Sequence, residues 1–121
     1  MTDDLKLARL LADLASFAQQ AEYVAQSGFE AYSADNQNGA LLRNASERIL
    51  IKVATVVERL PAEFKDSHQD IAWANIVRMR NLVAHHDDHV DDDLVWNALV
   101  NLVPALVREV VPQSSYQSHA D

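Results

Sequence analysis

The sequence predicts an all-α fold, an antiparallel bundle of four main helices plus one short helix. Two observations carry that prediction. Apolar residues recur at spacings of three and four along most of the chain, the period of a helix buried on one side. Glycine and proline are scarce, 2 and 3 in 121 residues, so few breakers interrupt those stripes. With 49% hydrophobic residues, a chain of this length can bury the core of one domain. The domain is read as residues 1–112 and the remainder, 113–121, as a flexible polar tail.

The first helix is expected over residues 3–27. Asp3 or Asp4 caps it, Leu7, Leu10, Leu14, Phe17, Ala21 and Val24 form its buried face, and Gly28 stops it. Residues 29–38 read as a connector or an irregular helix start, with Phe29 and Tyr32 as core anchors and Asp35 or Asn36 as the next cap. The second helix is expected over 37–60. Its row is Leu42, Ala45, Ile49, Val53, Val56 and Leu60, widened by Leu50, Ala54 and Val57. Gly39 within it costs about 1 kcal/mol relative to alanine. Pro61 ends this helix or opens a short one to Lys65, and residues 66–69 form a polar turn. Asp70 is the expected cap of the next helix. Asp91, Asp92 and Asp93 open the last one, where carboxylates suit the free N–H groups and the dipole. Paired apolar residues every four positions follow, from Leu94 and Val95 to Val110 and Val111. Pro104 removes one hydrogen bond and should kink this helix, and Pro112 should end it.

Composition excludes several classes. The absence of cysteine leaves no disulfide framework and no thiolate metal site. No apolar run approaches the ~20 residues of a membrane span. The acidic start, Met1-Thr2-Asp3-Asp4, lacks the basic opening of a signal peptide, so a cytoplasmic location is expected. A net charge of −8 argues against a broad nucleic-acid surface, while leaving room for a small local cationic site or a basic partner.

The chemistry-bearing stretch is Arg80-Asn81-Leu82-Val83-Ala84-His85 and the His86-Asp87-Asp88-His89 run after it. On a wheel of about 100° per residue, Arg80 falls within a stripe of Trp73, Ile76, Val77, Val83 and Ala84. A cation there needs a partner, because an unpaired buried charge is strongly destabilising. Glu47 and Glu58 of the preceding long helix are the candidates. His85 lies roughly 140° from Arg80 on the same wheel. The two therefore meet only if the helix ends near His85 or a second copy completes the site.

Three readings of the cluster stand open on residue type and spacing. His85, His86 and His89 with the adjacent aspartates have spacings that can hold a metal, though the glutamate of the zinc-protease pattern is missing. Alternatively, imidazole and guanidinium supply the groups for metal-free RNA cleavage. His85 would transfer protons near neutral pH, Arg80 would grip a phosphate with two prongs, and Asn81 would orient one or the other. Thirdly, Arg80 is a paired structural arginine and the histidines are surface residues.

The order Trp73, Met79-Arg80-Asn81, His85, Val90-Asp91 and Val95-Trp96 resembles the HepT family of the HEPN superfamily. Pro104 and Leu106 fit its last helix, residues 43–60 its second helix, and Phe29 to Asp35 its connector. The likeness extends over about residues 5–111. It implies a helical bundle that forms a two-fold homodimer, with the active residues near the axis. It further implies a toxin of a toxin–antitoxin pair, acting on RNA as an endoribonuclease without metal or cofactor. The implied partner is a minimal nucleotidyltransferase antitoxin. Arg80 and His85 take the catalytic positions of the Arg-x4-His motif and Asn81 a supporting one. His86 and Asp87 are placed to modulate them.

Two positions depart from the pattern. Asp87 stands where the family usually has a tyrosine that the antitoxin can adenylylate, which puts a carboxylate beside the phosphate site. Ala54-Thr55-Val56 stands where a Gly-Glu-Ala step is common. The alternative reading is therefore a HEPN-like interaction module that binds the nucleotidyltransferase without cleaving RNA.

Overall fold

The computed structural model describes residues 2–85 and 91–111. Most of them are helical, and no strand occurs among them. The elements are α1 (Thr2–Ala25), α2 (Phe29–Ser33), α3 (Gln37–Arg59), α4 (Ala62–Asp66), α5 (Trp73–His85), α6 (Asp92–Asn97) and α7 (Val103–Val110). A π-helical turn, Ala98–Leu102, joins α6 to α7, so these three run on as one last helix.

Helix α3 is the centre of the bundle, packed against α1, α2 and α5. Leu50, Val53, Ala54 and Val57 of α3 are fully buried, as are Leu14 of α1 and Val95, Leu99, Val103 and Val107 of the last helix. These side chains interdigitate as one core, and their removal from water is the main stabilising contribution.

The expected stripe on α3 needs one correction. Ala45 is exposed and Ser46 is buried. Because α2 covers α3 near its start, the buried face there is rotated by one residue from the row read by period alone. The Ser46 hydroxyl is satisfied by donating to the Leu42 carbonyl at 2.7 Å.

Local chemistry explains the boundaries. Gly28 has φ +88°, a left-handed conformation that glycine adopts without penalty, and α1 ends just before it. Asn36 caps α3, its Oδ1 accepting from the Gly39 N–H at 2.8 Å. Gly39 itself is required rather than costly. A Cβ there would collide with the Ala34 carbonyl oxygen. Arg43 closes the same junction, its Nη1 donating to the carbonyls of Tyr32 and Ala34 at 2.8 and 2.9 Å. The connector therefore contains the short helix α2. Tyr32 is fully buried as expected, but Phe29 is 42% exposed and lies over Trp96 at 5.7 Å between ring centroids.

Two helix starts differ in detail. The residue preceding α5 is Ala72, whose carbonyl accepts from the N–H groups of Asn75 and Ile76, so Asp70 lies too early to cap it. Asp91 does cap α6, its Oδ1 accepting from Asp93 and Leu94. Pro104 acts through the π-helical turn. The Val103 N–H reaches five residues back to the Ala98 carbonyl, and the proline then follows with no N–H to place. Pro112 and the tail 113–121 lie outside the described residues.

Candidate active site

Helix α5 presents two faces. Ile76, Met79 and Val83 are buried against the core, and Trp73 is half-buried at its start. The Trp73 indole N–H donates to the carbonyls of Lys65 and His68, both at 3.1 Å, which fixes the entry of α5 against α4 and the turn after it. Ala84, expected in the apolar stripe, is exposed. Among the described residues α5 carries no carboxylate, in a chain with 18 acidic and 10 basic side chains.

Arg80 sits on the flank between these faces, its side chain 21% exposed. Its guanidinium meets Glu58 of α3 fork to fork, Nη1 to Oε1 at 2.6 Å and Nη2 to Oε2 at 3.3 Å. Nη2 also donates to Asn81 Oδ1 at 3.4 Å. Of the two carboxylates considered from the sequence, Glu58 is the partner. It lies one turn beyond Thr55, whose hydroxyl instead donates to the Ile51 carbonyl at 2.8 Å.

The pair shifts both groups. The hydrogen bonds from Arg80, and then its charge, hold the Glu58 carboxyl below its ordinary range, with smaller help from the charges of Lys65 and Arg59. The bond to Glu58 correspondingly pushes the Arg80 guanidinium up, so it stays charged at any relevant pH. Among the described residues, three of its five N–H groups are directed at Glu58 and Asn81.

His85 is the last residue of α5, five positions after Arg80. That separation is about 7.5 Å along the helix axis. The structure thus brings together Arg80 and Asn81 and ends α5 at His85. His86, Asp87, Asp88 and His89 lie outside the described residues. A pocket of about 530 Å³ lies elsewhere, between the start of α1 and the end of α3, lined by Lys6, Leu7, Leu10, Arg59 and Phe64 among others and by no part of α5.

The arrangement defines a class first: a helical bundle with a guanidinium held at its surface and a histidine closing the same helix. The family described as Ribonuclease HepT-like matches residues 11–112, and the chain belongs to it. Among curated proteins, it is similar to a candidate RNase of Methanocaldococcus jannaschii (strain ATCC 43067 / DSM 2661 / JAL-1 / JCM 10045 / NBRC 100440). The two are 25% identical over 63 residues, covering 52% of each chain. It is also similar to a candidate RNase of Caldanaerobacter subterraneus subsp. tengcongensis, 29% identical over 70 residues that cover 58% of this chain and 62% of that one. The match thus spans about half to three fifths of those relatives' length. No solved structure matches the chain. Among the described residues no helix is long and apolar enough to cross a membrane.

Proposed function

We propose that this chain is a metal-independent endoribonuclease that works as a homodimer in the cytoplasm, the toxin of a toxin–antitoxin pair. The observation that carries the reading is Arg80, held by Glu58 at the surface of the bundle, five residues before a histidine in a chain of this family. The chemistry follows from the groups. His85 takes the proton of a ribose 2′-hydroxyl, the freed oxygen attacks the adjacent phosphorus, and the P–O5′ bond breaks. The leaving 5′-oxygen takes a proton from the histidine of the second copy. Arg80 holds the non-bridging phosphate oxygens and stabilises the charge that grows on them. Asn81 keeps the guanidinium oriented. The products are a 2′,3′-cyclic phosphate and a 5′-hydroxyl. General acid–base transfer of this kind contributes about 10²–10⁴-fold.

The partner under this reading is a minimal nucleotidyltransferase acting as antitoxin. Asp87 offers no phenol for adenylylation, so neutralisation proceeds by direct binding or at another residue. The non-cleaving interaction module is favoured by the same Asp87, whose charge opposes a phosphate.

The deciding experiment is cleavage of transfer and messenger RNA by the purified protein with a chelator present. Wild type cleaves, and His85→Ala and Arg80→Ala each lose at least about a hundredfold in rate. Cleavage abolished by the chelator would return the metal reading. A folded wild-type dimer that cuts no RNA would leave the interaction module.

A further inference from the structure

Three facts about the exposed face of α5 belong together. Ala74, Asn75, Arg78, Asn81 and Leu82 are all exposed and form one continuous stripe along the helix. No carboxylate interrupts it, although the chain as a whole carries −8. At its middle Arg78 is held by its neighbour, Nη1 donating to Asn75 Oδ1 at 2.6 Å, and among the described residues it has no carboxylate partner.

Helix geometry relates this stripe to the catalytic pair. Seven residues separate Arg78 from His85, which places them about 20° apart on the wheel and about 10 Å apart along the axis. Arg80 is roughly 140° from His85 and is turned towards α3. Arg78, not Arg80, is therefore the guanidinium aligned with the histidine position. Asn75 fixes it as a pre-oriented cation, and Asn75 and Asn81 are exposed beside it. Leu82, 59% exposed, supplies an apolar step on the same stripe.

We infer that the exposed stripe of α5 is a substrate subsite, in which Arg78 binds the phosphate of a nucleotide flanking the one that is cut. The inference rests on the ribonuclease reading and adds to it the path of the strand. Guanidinium contact with phosphate fixes position without reading sequence, while the two amides and Leu82 offer hydrogen bonds and an apolar surface to a base or ribose. A single-stranded stretch suits this geometry, because its bases are free to turn towards the helix.

The test is binding of a fluorescein-labelled single-stranded RNA of mixed sequence, followed by anisotropy across a salt series. The parent is His85→Ala, which keeps the strand intact. Adding Arg78→Ala weakens binding about tenfold and lowers the salt slope by about 0.7, one phosphate contact on a single strand. Adding Arg78→Lys restores most of the slope. Arg9→Ala on α1, removing the same charge elsewhere, leaves both values within error. Equal binding by the parent and the Arg78→Ala variant would overturn the subsite and leave the nuclease intact. So would loss of self-association in sedimentation with RNA affinity unchanged, which would assign the stripe to a second copy. A parent that binds no RNA, together with a wild type that cuts none, would sink the ribonuclease reading and the subsite with it.

Discussion

Arg80 and Glu58 are the residues on which the site turns. A guanidinium met by a carboxylate in a two-pronged contact is well oriented and has part of its charge cancelled. Glu58 therefore has two opposing effects under the proposed chemistry. It positions Arg80, and it competes with phosphate for it. Glu58→Gln should separate them: RNA binds severalfold tighter, while the first-order cleavage rate falls by about tenfold or more as the guanidinium loses its fixed angle. Single-turnover cleavage over a range of protein concentrations measures both at once. A purely structural Glu58 would lower stability and leave the split between binding and rate unmoved. Arg80 was legible from the sequence as a cation in need of a partner, because it interrupts an apolar stripe. Its partner was legible only as a choice of two. Glu47 and Glu58 are 11 residues apart, almost a whole number of turns, so both lie on one side of α3 and the wheel cannot separate them.

At the scale of elements, the junction of α2 and α3 shows how tightly short connections are specified. Asn36 caps α3, Arg43 ties down the end of α2, and the Ala34 carbonyl rests where a side chain at 39 would be. Gly39→Ala should therefore destabilise the fold by about 1–3 kcal/mol, the reverse of the gain that helix propensity predicts. Urea unfolding followed by circular dichroism checks the sign. The sequence read Gly39 as a weak point because propensity is a local quantity, and the reason for the glycine is a close approach by another element. Likewise Pro104 announced a disturbance in the last helix, while its form depended on how the helix packs. A π-helical turn accommodates the missing N–H and keeps Leu99, Val103 and Val107 buried in one core.

The whole molecule should lose stability at both ends of the pH scale, for separate reasons. Glu58 is held below its ordinary range by Arg80. Its contribution is present above the usual carboxylate range and is lost as pH falls through the lowered value. Tyr32 behaves in the opposite sense. Its hydroxyl donates to the Asp92 carbonyl at 3.1 Å, and burial, followed by the charges of Asp92 and Glu47, raises the phenol above its ordinary 10.0. That contribution is complete below the ordinary value and is lost as pH rises through the raised one. Thermal unfolding should therefore show an alkaline fall that Tyr32→Phe flattens, at a cost of about 1 kcal/mol at neutral pH for the lost hydrogen bond. An alkaline limb of unchanged steepness in Tyr32→Phe would show that this phenol does not control it.

The sequence by itself determined the long helices, most of the core, the cap at Asp91 and the short motif that places Arg80, Asn81 and His85 on one element. These follow from spacing and from side chains acting on their own backbone, interactions that reach only a few residues. Tertiary structure alone decided that Arg80 faces Glu58, that Gly39 must lack a side chain, that Ala45 is exposed and that Arg78, bonded to Asn75, lies on an exposed stripe. Each depends on which helix lies against which and at what height along it, and periodicity within one helix carries no record of that.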